Sequence, residues 1–413
     1  MVNSNEFPIQ SIRQQFPALN RTYKGKQVIY FDGPGGSQVV RSSIDSIAQY
    51  MMNGGANLHG QFVTSKETEA IIAEAKQAVA DLFGASANEV AFGANMTTLT
   101  FALSRALSRN WKKGDELVVT ELDHRANVDP WLAVADDLGL VVRWLRVNPQ
   151  ELTLDLSELN SVITGKTRLV AVGLASNGVG TINQVKQISK RAKEMGAIVV
   201  VDAVHAAPHF SIQRDEIGAD IILCSAYKFF GPHVGIAVIQ SDIFEDINPY
   251  KLKPAPIYIP DKLETGTQNH EGIAGITPAI NFIAGLGQGA TRAERLTSGF
   301  SRMEEYENRL AERIRTSLGT MPKITLYQAK ASVKKTPTIA FEVEGISSLE
   351  VCRSMAEDYG IFVADGDFYA TTLAELTGVS SRGGWVRVGL APYNSDEEVE
   401  RFLEALTELA SSI

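Results

Sequence analysis

Four short polar clusters hold the residues able to do chemistry: Asp123-His124-Arg125-Ala126-Asn127, Ser176-Asn177-Gly178, Asp202-Ala-Val-His205 and Ser225-Ala-Tyr-Lys228. Each follows a run of β-branched and apolar residues, so each falls at the carboxyl end of an expected strand. Lys228 sits in an apolar and aromatic setting, Tyr227-Lys-Phe-Phe-Gly-Pro232. Desolvation there disfavours the ammonium and lowers its pKa from about 10.4, leaving an amine fit to act as nucleophile or base. Asp202 ends a buried strand and so needs a cationic partner. His124 offers a flat ring to stack on a bound group. Asn95, Met96 and Thr97 precede a helical pattern, where first-turn amides and the Thr97 hydroxyl would hold a phosphate. Each signal is weak alone. An amine, an acid, a ring and an anion cradle together define a site.

Open α/β sheets place ligands just beyond the carboxyl ends of their strands. Strands are expected over 116–120, 140–145, 168–174, 197–201, 220–224 and 235–240, with helices over 37–52, 98–108 and 183–195. This alternation reads as α/β with a mostly parallel sheet. From about residue 285 the texture changes to a long charged amphipathic helix over 292–318, a strand over 336–343 and a helix over 348–359. Strands over 361–364 and 385–390 follow, then a closing helix over 395–410 that opens on the capping box Ser395-Asp-Glu-Glu398. The expected organisation is a segment 1–30 contributing to a small domain, a large domain over 31–284, and the small α+β domain over 285–413.

Composition agrees with this reading. Of 413 residues 44% are hydrophobic and 21% charged, which excludes disordered, collagen-like and coiled-coil classes for the bulk of the chain. The net charge of −9 argues against nucleic acid as a partner. Apolar runs such as Ala197-Ile-Val-Val-Val201 are far short of a membrane span. Two cysteines, Cys224 and Cys352, make no disulfide framework. The opening Met1-Val-Asn-Ser-Asn-Glu-Phe-Pro lacks a basic stretch followed by an apolar run, so a cytoplasmic location is expected.

The amine, acid, stacking ring and phosphate cradle are what pyridoxal 5′-phosphate (PLP) requires. Val201-Asp-Ala-Val-His-Ala-Ala-Pro-His209, followed by Ser225-Ala-Tyr-Lys-Phe-Phe-Gly-Pro232, resembles the fold-type I PLP enzymes. Within them the chain is similar to the class V aminotransferase group, on the side of the cysteine desulfurases and selenocysteine lyases. The resemblance begins at Tyr30-Phe-Asp-Gly-Pro-Gly-Gly36 and Asn57-Leu-His59, and runs through His124-Arg-Ala-Asn127 and Ser176-Asn-Gly-Val-Gly-Thr-Ile-Asn183. It ends at Glu264-Thr-Gly-Thr-Gln-Asn269 and Arg387-Val-Gly-Leu-Ala-Pro-Tyr-Asn394. It implies a mostly parallel seven-stranded sheet between helices, with a smaller α+β C-terminal domain.

It also implies roles. Lys228 would form the Schiff base and take the Cα proton, Asp202 would pair with the pyridine nitrogen, and His124 would stack on the ring. Asn95, Met96, Thr97, Ser225 and Tyr227 would hold the phosphate, with His205 and Asn177 near the cofactor hydroxyl. Thr267 would reach the phosphate of a neighbouring subunit, which implies a homodimer. Arg387 would grip the carboxylate of a small amino-acid substrate, with Asn177 and His59 also at the substrate.

One departure bears on the reaction. Desulfurases that form a persulfide carry a cysteine on a loop before the final domain strand. The corresponding stretch here is Gly360-Ile-Phe-Val-Ala-Asp-Gly-Asp-Phe-Tyr-Ala370, with Tyr369 or its neighbours in that place and Asp365 and Asp367 nearby. Both cysteines read as small core residues. The expectation is therefore C–S (or C–Se) cleavage without a protein persulfide. Transamination, epimerisation and a PLP-binding homologue without turnover are the alternatives, and nothing points to a sulfur-accepting protein. No metal site is expected, since Pro208 interrupts the helix face that His205 and His209 would need. Gly165-Lys-Thr167 lacks the preceding strand and first glycine of a phosphate-binding loop.

Overall fold

The computed structural model describes residues 7–412. Its centre is a sheet of seven strands: β1 (Val90–Gly93), β2 (Glu116–Thr120), β3 (Val141–Leu145), β4 (Thr167–Gly173), β5 (Ile198–Asp202), β6 (Ile221–Ser225) and β7 (Gly235–Ile239). Their spatial order is β1-β7-β6-β5-β4-β2-β3. Strand β7 pairs antiparallel with both neighbours, and the remaining pairs are parallel. The six strands expected from sequence are all present, and β1 completes the seven.

Side-chain alternation shows why the sheet is covered on both faces. Val118, Val172, Val201 and Ile222 enter one core, while Leu117, Val119, Ala171, Val200 and Leu223 enter the other. Helix α1 (Val63–Phe83) seals the first face through Ile72, Ala75 and Val79. Helix α2 (Met96–Leu107) seals the second through Leu99, Leu103 and Ala106.

A second sheet follows, with β8 (Ile324–Tyr327), β9 (Thr338–Val343), β10 (Ala364–Gly366) and β11 (Trp385–Gly389) in the antiparallel order β8-β9-β11-β10. Helix α3 (Arg292–Leu318) ties the two sheets together. Its first half gives Leu296, Phe300 and Met303 to the large core, and its second half gives Leu310, Ile314 and Leu318 to the small one. The N-terminal segment also divides: Phe16 joins the large core, Ile29 and Phe31 the small. Helix α4 (Asp396–Ser412) begins at the expected capping box, with Ser395 Oγ accepting from Glu398 N–H at 3.3 Å and Glu398 Oε2 accepting from Ser395 N–H at 3.2 Å. The strand expected over 361–364 is split, because the run changes partner at Val363. Ile361–Phe362 pairs with Ile29–Tyr30, and β10 pairs with β11. Among the described residues no helix is long and apolar enough to cross a membrane.

Candidate active site

The carboxyl ends of β2, β4, β5 and β6, the start of α2 and strand β11 converge on a cavity of about 300 Å³, at the small end of the range for small-molecule sites. Lys228, in the turn after β6, points its amine into this cavity and donates to Pro34 O at 2.5 Å. Its Nζ stands 4.8 Å from the Tyr227 ring centroid. Burial, then the Arg387 charge, lowers the lysine pKa to about 8, against an opposing pull from Asp202. Near neutral pH a useful fraction is therefore free amine.

Two buried carboxyls face the same space. Asp202 ends β5 and accepts Val204 N–H at 2.8 Å; burial raises its pKa to about 6. Asp123, just past β2, is raised to about 7, mainly by burial and further by Asp202. Its Oδ2 accepts from Gly173 N–H at 2.7 Å and from the Asn127 amide at 2.9 Å. This pair is a place for a cation or a protonated ring nitrogen. His124 Nδ1 accepts Ala126 N–H at 3.0 Å, which leaves the ring proton on Nε2. Burial, with Lys228 and Arg387 nearby, lowers its pKa to about 4, so the ring is neutral and can pack against an aromatic face.

The opposite end suits an anion. Asn95 caps α2 by accepting Thr98 N–H at 2.9 Å, and Met96 N–H donates to Ser225 Oγ at 3.0 Å. Thr97 and Tyr227 complete this end, with Tyr227 stacked on His233 at 4.6 Å between centroids. Gly235 makes the approach possible, because a Cβ there would run into the Asn95 backbone.

The second sheet supplies the third wall. Arg387, on β11, is buried and donates from Nη1 to Asn177 O at 2.8 Å. Its Nε and Asn177 Oδ1 are both buried without a hydrogen-bond partner. Burial pushes the guanidinium down to about 9, opposed by Asp32, so it remains charged at neutral pH and a carboxylate would satisfy it. The Phe368 ring lies 3.5 Å from the guanidinium carbon. His205 lines the cavity and is held at Nε2 by Thr336 Oγ1 (3.1 Å) and Thr338 Oγ1 (3.0 Å). Burial keeps it neutral. His209 instead pairs with the buried Glu307 at 2.9 Å.

Of the residues singled out from sequence, Thr267 and His59 do not reach the cavity. Thr267 is exposed in a loop whose root, Glu264, accepts Phe92 N–H at 2.9 Å and lies 3.4 Å from Lys76 Nζ. His59 is exposed, with its backbone N–H donating to Glu69 Oε1 at 2.6 Å. Conversely, Asp123, Pro34 and Phe368 line the cavity without having been given a role. Asp123 carries the same signal as Asp202, an acid directly after a buried strand; Phe368 carries none. Cys224 and Cys352 are buried, and neither lines the cavity.

The cavity fits PLP. A buried amine, a carboxyl for the ring nitrogen, a neutral flat ring and a helix N-terminus with Ser225 for the phosphate surround one space, with an unsatisfied guanidinium beside it. Comparison with known proteins agrees. The family model "Aminotransferase class-V" matches residues 29–402. The aminotransferase-like protein FGM3 of Gibberella zeae is 33% identical, covering 98% of this chain and 99% of its own. A cysteine desulfurase of Yersinia pseudotuberculosis is 29% identical over 98% of each. The apo structure of a cysteine desulfurase from Thermococcus onnurineus NA1 superposes over the whole of both chains, with a TM-score of 0.89 at 28% identity. The chain therefore belongs to the class V aminotransferase family, and is a cysteine desulfurase-like, PLP-dependent enzyme.

Proposed function

We propose that this enzyme cleaves the C–S (or C–Se) bond of a small α-amino acid without passing sulfur to a cysteine of its own. The reading rests on one observation: Lys228, Asp202, His124 and Arg387 share a cavity that neither cysteine lines. Arg387 holds the substrate carboxylate through the donors that Asn177 leaves free, which fixes Cα beside Lys228. The Lys228 amine takes the Cα proton, since its lowered pKa keeps part of it unprotonated. With PLP bound, Asp202 would hold a proton on the cofactor's ring nitrogen and His124, backed by Tyr369, would offer a neutral ring to pack against it. Bound PLP would supply a conjugated ring that accepts the electron pair left at Cα. Both cysteines are buried and their thiols pushed up, so neither is a ready nucleophile.

Transamination is the second reading, favoured by the 33% identity to the aminotransferase-like protein FGM3. The reading also includes a cytoplasmic homodimer, in which the exposed Thr267 and His59 of each subunit complete the cavity of the other. Met51, Met52, Phe62 and Val63, exposed on either side of His59 along the chain, support such a contact.

The test is spectroscopic and then chemical. Protein loaded with PLP should be yellow, and Lys228→Ala should lose that band; a colourless loaded wild type would overturn the reading. Cysteine, selenocysteine and alanine are then offered, with sulfide, selenide, pyruvate and pyridoxamine phosphate measured. Sulfide with pyruvate supports elimination, and pyridoxamine phosphate supports transamination. Alanine with a protein-bound persulfide would refute the absence of a sulfur-accepting cysteine.

A further inference from the structure

The turn that closes the substrate side of the cavity is unusual. Phe368 and Tyr369 are consecutive non-glycine residues in the left-handed region, with φ of 54° and 58°. A non-glycine residue keeps this conformation only where its surroundings hold it. Here they do. Asn177 Nδ2 donates to Phe368 O at 2.7 Å, and Arg125 N–H donates to Tyr369 O at 2.9 Å. Asp367 accepts Tyr369 N–H at 3.0 Å through Oδ1 and the Thr371 hydroxyl at 2.9 Å through Oδ2. The large domain thus grips a small-domain turn by two backbone carbonyls.

The strained conformation has a visible result: it aims both rings at the cavity. Phe368 covers the guanidinium of Arg387 at 3.5 Å, and Tyr369 packs on the His124 ring with centroids 5.2 Å apart. Tyr369 is nevertheless 68% exposed, so this aromatic wall runs from the buried carboxylate site out to solvent. A substrate with its carboxylate at Arg387 and Cα at Lys228 meets the wall with its side chain. Free cysteine would leave the outer ring untouched. Sulfur and its substituents make favourable contacts with aromatic faces and edges.

Resting on the C–S cleavage reading, we propose that the substrate is an S-substituted cysteine, a thioether or disulfide whose sulfur substituent lies along Phe368 and Tyr369. In the step, Lys228 takes the Cα proton and the Cβ–S bond breaks with its electron pair on sulfur. The sulfur leaves with its substituent, as a thiolate from a thioether or a persulfide anion from a disulfide, and takes a proton from solvent. The three-carbon remainder is released as an enamine, which one water hydrolyses to pyruvate and ammonia. No oxidant or protein thiol is needed.

The test compares S-benzyl-L-cysteine with L-cysteine on PLP-loaded enzyme, measuring pyruvate, released thiol or sulfide, and the change in the visible band on binding. Wild type should show a lower KM for S-benzylcysteine by about tenfold, the size of an aromatic contact. Tyr369→Ala should raise the KM and the spectral binding constant for S-benzylcysteine about tenfold more than for cysteine, and Tyr369→Phe should restore both. Cysteine cleaved with S-benzylcysteine refused, or a selectivity unmoved by Tyr369→Ala, would overturn this inference alone. A yellow enzyme that releases neither sulfide nor thiol would overturn the C–S cleavage reading with it.

Discussion

Even with the Lys228 amine nearby, the cofactor-free protein bears a cost for burying ionised Asp202. Its folded pKa of about 6 lies above the ordinary 3.8, so stability present below pH 3.8 is lost as pH rises through 6. In the cofactor-free protein, Asp202→Asn should match wild type at pH 4 and exceed it above pH 7 by up to about 3 kcal/mol. Denaturant titrations across that range measure this, and PLP affinity should fall in the same variant. Arg387→Ala should raise KM for the amino acid about 10²-fold, with the PLP band unchanged, because it removes a buried charge with two-point geometry. His124, Asn177, Asp202 and Lys228, which line the cavity, were legible because each lies at or just past the end of a buried strand. Tyr369 was placed by resemblance on the loop before the last strand, but the orientation of Phe368 and Tyr369 was not legible, since no local signal marks two non-glycine residues as left-handed and contacts 191 and 244 residues distant hold them there, at Asn177 and Arg125.

Among the elements, the junction of β7 with α2 carries the anion end of the cavity. Gly235→Ala would drive a methyl into the Asn95 backbone and shift the first turn of α2. The expected cost is about 1–3 kcal/mol in stability, with weaker PLP binding. Gly285→Ala, at a position with nothing within 4 Å, is the control and should be neutral or slightly stabilising. Fluorescence titration with PLP and thermal melts separate the two. The parallel strands could be read from sequence because burial on both faces makes them continuous apolar runs. Strand β1 could not, being four residues long and defined by its pairing with β7, nearly 150 residues later. The run over 361–364 was read as one strand because the change of partner at Val363 is a tertiary event.

For the whole molecule, the exposed Thr267 and His59 give the proposed homodimer a sharp test. Thr267→Ala should weaken PLP binding about tenfold or more, the worth of a hydrogen bond to a charged group. Mixed dimers of Thr267→Ala with Lys228→Ala subunits should regain one tight, yellow site per dimer, because the Thr267→Ala cavity receives an intact threonine from its partner. If affinity stays weak in the mixture, Thr267 acts within its own chain. The two-sheet plan has a final consequence. Between residues 95 and 228 lie Lys228, Asp123, Asp202 and the start of α2, while Phe368, Tyr369 and Arg387 line the other side of the cavity. Helix α3 anchors both cores, so the later stretch can change without unsettling the earlier one. A chimera carrying another family member's 361–390 should therefore keep its colour and exchange its substrate, making selectivity a transplantable cassette on a fixed reactor.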